Sequence, residues 1–132
     1  MADWVIVVDD DIINLKMAGH ILSKNNMRVT ALKSGQALLD FMGKNETPDL
    51  ILLDVKMPEM DGFETLQKLR EQEAGKEEVP VIFLTADEDE GAESKGLSLG
   101  AMDFIKKPFA PDLLVVRVKH IIELVQLRRK IG

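Results

Sequence analysis

Residues 49–62 read DLILLDVKMPEMDG, and this stretch constrains the fold more than any other. The apolar run Leu50–Leu53 stops abruptly at Asp54, and Met57-Pro58 and Asp61-Gly62 then supply turn signals. A short apolar run bounded by turn signals reads as a buried strand. A strand apolar at every position is covered on both faces, as in the centre of a parallel sheet. A carboxylate at the carboxyl end of such a strand lies where open α/β sheets bind their ligands. One such acid is also an ordinary loop acid, so the question is what else reaches the same edge.

The remaining chain supplies the other elements. Trp4–Val8 is a β-branched apolar run and a second buried strand, ending in Asp9, Asp10 and Asp11. From Ile12 to Ser23, apolar residues recur at helical spacing: Ile12, Leu15, Met17, Ala18, Ile21 and Leu22. Met27–Leu32 is a short strand, and Ser34 caps a helix through Ala37, Leu38, Phe41 and Met42. Phe63–Glu73 is an amphipathic helix. Val79–Leu84 is a strand with Pro80 near its start. Asp87–Glu90 is an acidic loop, Glu93–Leu99 a short helix closed by Gly100, and Met102–Lys106 the last strand. The longest helix covers Ala110–Arg129.

Strand and helix thus alternate five times. That order predicts an α/β fold, a doubly wound, flavodoxin-like parallel sheet of order 2-1-3-4-5 with five helices. The 132 residues suffice for one such domain and its core. A net charge of −6 argues against a nucleic-acid surface, whose footprint is basic. The absence of Cys removes disulfides, thiolate metal sites and thiol nucleophiles, and suits a cytoplasmic setting. The apolar run at 4–8 is too short for a membrane span or a signal segment.

In that topology every strand's carboxyl end lies on one edge. Asp9 and Asp10 arrive from the first strand, Asp54 from the third, Thr85 from the fourth and Lys107 from the fifth. Each alone has an ordinary reading: helix-cap acids, a loop acid, a strand threonine, a surface lysine. Together, the carboxylates would repel one another unless a hard divalent cation such as Mg²⁺ joined them. The lysine and threonine suit phosphate oxygens. The chemistry implied is phosphoryl transfer, with Asp54 as the nucleophile.

These motifs closely resemble the receiver domain of two-component response regulators: VIVVDDD at Val5–Asp11, LLDVKMPEMDG at Leu52–Gly62, VIFLTA at Val81–Ala86 and GAMDFIKKPF at Gly100–Phe109. The resemblance implies that Asp54 is the phosphoacceptor. It implies that Asp10 ligates Mg²⁺ directly, Asp9 through water, and Lys56 through its main-chain carbonyl. The backbone of Lys56 and Ala86 would border the phosphoryl group. Thr85 would move toward it, Lys107 would bind it, and the Lys107–Pro108 bond would be cis.

Phe104 falls at the family's aromatic switch position; a rotameric switch and a core-edge aromatic are both open at this stage. Lys56 and Asp87 occupy variable positions at the site mouth. They either pair as a lid that tunes phosphoryl lifetime or point into solvent. The resemblance assigns residues 1–123 to the receiver domain. It leaves 124–132 as a helix end that is either frayed or the start of a linker to an output domain. It implies a sensor histidine kinase or phosphotransfer protein as donor, an output domain or partner protein downstream, and homodimerisation on phosphorylation. No direct contact with nucleic acid or membrane is expected. The domain would catalyse only its own phosphotransfer and autodephosphorylation.

Three other classes compete. A haloacid-dehalogenase-like phosphohydrolase needs a second acid two residues after the nucleophile, where Lys56 stands. A flavin or dinucleotide carrier lacks its signature, since no G-x-G-x-x-G follows a strand. An interaction module with a dead site would not keep the full acid, Thr and Lys set.

Overall fold

The computed structural model describes residues 2–44, 46–86 and 91–131. Its elements run β1 (Trp4–Val8), α1 (Ile12–Lys24), β2 (Arg28–Leu32), α2 (Gly35–Lys44), β3 (Leu50–Asp54), α3 (Gly62–Gln72), β4 (Val81–Thr85), α4 (Ala92–Ser98), β5 (Asp103–Lys106) and α5 (Pro111–Ile131). The five strands are parallel, in order β2-β1-β3-β4-β5, the flavodoxin-like arrangement expected from the sequence. Every residue of β1, β3 and β4 is buried, as central strands covered on both faces require.

Side-chain alternation along the strands divides the core in two. Ile6, Val8, Ile51, Leu53, Val81 and Phe83 face α2, α3 and α4, meeting Leu38, Phe63, Leu66 and Ala92. Val5, Val7, Leu50, Leu52, Ile82 and Leu84 face α1 and α5, meeting Leu15, Leu22, Leu114 and Val118. The register places Asp54 beside Leu84, so Thr85 lies one residue beyond it and on the opposite face.

Capping sets the helix starts. The Asp11 carboxylate accepts from Ile13 N at 2.9 Å and opens α1. Ser34 Oγ accepts from Ala37 N at 3.0 Å before α2, as read from the sequence. Asp61 accepts from Glu64 N at 2.8 Å and opens α3.

Several boundaries move by one or two residues. β2 begins at Arg28, and β4 begins at Val81, after Pro80. The apolar series of α1 is also not one face. Leu15, Ala18 and Leu22 are buried, whereas Ile12 and Met17 are exposed. Only the face toward the sheet is covered: Met17, two positions from Leu15, turns outward, and Ile12, the first residue of α1, lies at the open end of that face. The acidic run 87–90, including Asp87, lies outside the described residues.

One glycine ties the fold to the strand end that matters. Gly62 N donates to Val55 O at 2.8 Å, folding the 55–62 turn tightly back onto β3. A Cβ at Gly62 would press on the Asp54 carbonyl oxygen and come within 3.0 Å of Val55 Cα and Phe83 Cε1. Backbone cannot swing aside as a flexible side chain can. Gly62→Ala is therefore expected to destabilise the fold by roughly 1–3 kcal/mol. Gly19, inside α1, has only Val29 Cγ1 nearby, at 3.9 Å. Gly19→Ala is expected to stabilise by roughly 0.5–1 kcal/mol through helix propensity. Urea denaturation of both variants checks this; equal effects would remove Gly62 from its packing role.

Candidate functional site

Three strand ends build the site. Asp9 N donates to Leu32 O at 3.1 Å, continuing the β1–β2 ladder by one residue, and its side chain is fully buried. Asp54 closes β3 with 4% of its surface exposed. Lys107 N donates to Thr85 O at 2.7 Å, continuing the β4–β5 ladder, and a cis peptide bond joins Lys107 to Pro108. Those backbone contacts aim the three side chains at one another. The Lys107 ammonium lies 2.8 Å from Asp54 Oδ1 and 3.0 Å from Asp9 Oδ2. Asp9 Oδ1 accepts from Asp11 N at 2.9 Å, which turns the chain into α1. Asp10, between them, is exposed.

The charges are unevenly matched. Burial pushes the Asp54 carboxyl up from its ordinary 3.8 to about 7, against the pull of its hydrogen bond to Lys107, and the neighbouring Asp9 charge adds to the rise. Burial pulls the Lys107 ammonium down, but its contacts with Asp54 and Asp9 outweigh this and the net shift is upward. The pair is thus not symmetrical: Lys107 gains two anionic partners, whereas Asp54 shares one cation with a second carboxylate. Asp9 Oδ2 is buried and, despite its ion-pair distance to Lys107, has no aligned hydrogen bond.

Asp9, Asp10 and Asp54 form a cluster able to take a cation. One oxygen from each of Asp9, Asp10 and Asp54 lies within 4.8 Å of the others. Oxygen ligands on one Mg²⁺ ion sit about 3–4 Å apart, so a small hard cation fits, with water completing the widest link. The three acids, Asp11, Asn14, Lys56, Ala86 and Lys107 line a cavity of ≈ 230 Å³ around this point. Asn14 was not singled out in the sequence, although it stands three residues after the helix cap, where one turn returns it to the same side. Wider clefts occur elsewhere, one of ≈ 490 Å³ beside Arg70 and Arg128, but they gather no comparable acid cluster among the described residues.

Thr85 reaches the same edge but does not line that cavity. It is buried, and its hydroxyl donates to the Ala86 carbonyl at 3.2 Å. Phe104, on the same face as Thr85, is turned inward with 9% exposed and lies 5.4 Å from the Phe83 ring. Above them, a Cβ at Gly96 of α4 would run into Phe104 Cζ and come within 2.8 Å of Phe83 Cδ2. α4 therefore rests directly on these two rings.

Comparison with known proteins agrees with this architecture. The family model of the response regulator receiver domain matches residues 5–119. The chain belongs to the response regulator receiver domain family. This receiver is 36% identical over 118 residues to the alkaline phosphatase synthesis transcriptional regulatory protein PhoP of Bacillus subtilis, covering 89% of this chain and 48% of that protein. It is 34% identical to the two-component response regulator ORR5 of rice, over 83% of this chain and 81% of the relative. A response regulator from Chloroflexus aurantiacus superposes with a TM-score of 0.86 at 33% identity, over 93% of this chain and 99% of that one. The receiver spans about half or less of several curated relatives, 48% of PhoP and 26% of the PleD response regulator of Caulobacter vibrioides. The protein is thus a signalling switch domain of two-component systems. No helix among the described residues is long and apolar enough to cross a membrane.

The raised carboxyl of Asp54 has a consequence for stability. Its folded value lies above the unfolded one, so the folded state holds the extra proton between about 4 and 7. The associated stability is fully present below the unfolded value and is lost as pH rises through about 7. In cation-free buffer, Asp54→Asn should therefore be more stable than wild type at pH 8, by on the order of 1–3 kcal/mol, with the advantage shrinking toward pH 5. Thermal melts with chelator across that range measure it; a constant difference would mean that the Asp54 charge is not strained.

Proposed function

We propose that this receiver domain accepts a phosphoryl group from a sensor histidine kinase or phosphotransfer protein on Asp54, in a Mg²⁺-dependent reaction. The observation that carries the reading is the Lys107 ammonium, 2.8 Å from Asp54 Oδ1, beside the acid cluster of Asp9, Asp10 and Asp54. Asp54 Oδ attacks the phosphorus as the bond from phosphorus to the donor imidazole nitrogen breaks, leaving an aspartyl-phosphate and a neutral histidine once that nitrogen takes a proton. Asp9, Asp10, Asp54 and the Lys56 carbonyl would hold the ion, which when bound offsets carboxylate and phosphoryl charge. Lys107 carries the remaining charge neutralisation, and the backbone at Lys56 and Ala86 borders the phosphoryl oxygens. Transfer of this kind needs positioning more than covalent help from the protein.

Switching is proposed to pass through Thr85. Its hydroxyl donates to Ala86 O at 3.2 Å in this state and would exchange that contact for a phosphoryl oxygen. Its movement frees space toward Phe104 and α4, which biases a two-state element. Residues 1–123 form the receiver on this reading, with 124–132 leading toward an output domain or partner in the cytoplasm. Homodimerisation on phosphorylation and a Lys56–Asp87 lid over the phosphoryl group belong to the same proposal; Asp87 lies outside the described residues. The domain turns over only its own phosphoryl group.

Two measurements test the site. Intact-mass spectra after acetyl phosphate and Mg²⁺ should show one phosphoryl adduct on wild type and none on Asp54→Asn; an adduct of equal yield on the variant would refute the assignment. For Mg²⁺ affinity by calorimetry, Asp10→Ala should lose on the order of tenfold or more. Asp11→Ala should lose little, because the Asp11 carboxylate is spent on the α1 cap. The reverse ranking would mean that the metal register is misplaced.

A further inference from the structure

The edge of the sheet away from Asp54 is where the strands begin. Pro80 leads into β4 and Met102 into β5, and Met102 N donates to Val81 O at 2.8 Å. The end of α5 and the loop after α3 border these strand starts and leave a cavity of ≈ 490 Å³ between them. Clefts that hold small organic ligands run from about 300 to 1,000 Å³. This cavity shares no lining residue with the one around Asp54.

Its floor is apolar: Val79 and Pro80 are buried, and Met102 and Val125 are half-buried. Gly100, at φ 103°, adds no side chain to the wall. The rim carries three guanidinium groups, from Arg70, Arg128 and Arg129. Arg129 is already committed, because its Nε pairs with Glu77 Oε2 at 3.0 Å, and the two charges cancel. Arg128 makes no hydrogen bond or ion pair among the described residues.

Arg70 decides what the rim attracts. Its Nη1 donates to Glu73 Oε1 at 2.7 Å and to Val79 O at 2.9 Å, which fixes the guanidinium plane. Its Nε is buried and has no hydrogen-bond partner. A charged donor left unpaired out of water is costly. Glu78 Oε2 lies 3.8 Å from this nitrogen, beyond hydrogen-bond range, and the Glu78 side chain is 68% exposed. A Cβ at Gly100 would lie 3.8 Å from the same nitrogen, so the Nε edge faces the glycine wall of the cavity. The place beside Nε thus draws a carboxylate, and the chain's own carboxylate falls short of it.

We propose that this cavity binds a small organic monocarboxylate with an apolar body. The ligand's carboxylate displaces Glu78 from the Nε edge of Arg70 and takes a second contact from Arg128. Its body lies on Val79, Pro80, Met102 and Val125. A guanidinium fork matches a planar carboxylate. Exchange of one carboxylate for another keeps the charge of the cavity, whereas a phosphate dianion adds charge beside Glu77 and leaves the apolar floor uncovered. Arg70 belongs to α3 and Arg128 to α5, so the bound ligand ties the end of α5 to the domain. No phosphoryl group is needed, and the site stands or falls separately from the reaction at Asp54.

Benzoate is the probe, titrated into the full chain while amide chemical shifts are followed by NMR. It should give saturable shifts at Val79, Gly100, Met102 and Arg128. Benzamide, of the same shape without the charge, and inorganic phosphate should each bind there at least about tenfold more weakly. Arg128→Gln should weaken benzoate binding about tenfold, and Glu78→Gln should strengthen it at least about threefold by removing the competing carboxylate. Arg128 and Glu78 are exposed, so both variants keep the fold, which circular dichroism verifies. Shifts that fail to saturate or that centre elsewhere, benzamide or phosphate binding as well as benzoate, or an affinity that either substitution leaves unchanged overturns the proposal.

Discussion

The contact on which the rest depends is one ammonium between two buried carboxylates. Lys107 lies 2.8 Å from Asp54 and 3.0 Å from Asp9, and these residues come from three different strands. Burying two carboxylates is costly unless the charges are paired. Here the pairing is incomplete: one cation serves two anions, a third acid stands beside them, and one buried oxygen lacks a hydrogen bond. A chain selected for stability alone would not leave that imbalance at its core edge. The excess is negative, which is the sign that a hard divalent cation offsets.

Strand alternation separates this chemistry from its read-out. Asp54 shares a face with Leu52 and the α1–α5 layer. Thr85, one register step on, shares a face with Phe83, Phe104 and α4. The sheet is one side chain thick here, so on the proposed mechanism a small movement of Thr85 crosses from the reactive edge to the layer that carries the signal. Gly96 makes that layer sensitive, because α4 sits on Phe83 and Phe104 with no side chain between. Close-packed contacts of this kind pass on displacement instead of absorbing it.

The ends of the chain's elements are fixed by local polar contacts more than by apolar pattern. Asp11, Ser34 and Asp61 each satisfy a free helix N–H, and each lies beside the loop that enters or leaves the site or its supporting layer. Deeper in the loop after α3, the buried Glu73 accepts from Val79 N at 2.9 Å and from Arg70 at 2.7 Å, holding the entry to β4. That loop also carries Glu77, whose carboxylate lies 3.0 Å from Arg129 Nε near the end of α5.

By itself the sequence determined the alternation of five strands and helices, the identity of the central strands and the presence of Asp9, Asp54, Thr85 and Lys107 at strand ends. Those signals are local: an apolar run, a turn, a cap. It also carried the family motifs that name the domain. Only the tertiary structure decided which of those residues meet. Lys107 joins Asp9 and Asp54 because parallel ladders extend one residue past β1 and β5, whereas Thr85 is turned to the other face by a single step of register. Nor could spacing tell which apolar residues of α1 and α5 are covered. Ile12, Met17 and Leu127 fit a helical pattern as well as Leu15 and Val118, yet they stay exposed. Burial depends on which side of a helix the sheet lies, and that is settled by contacts between segments far apart in the chain.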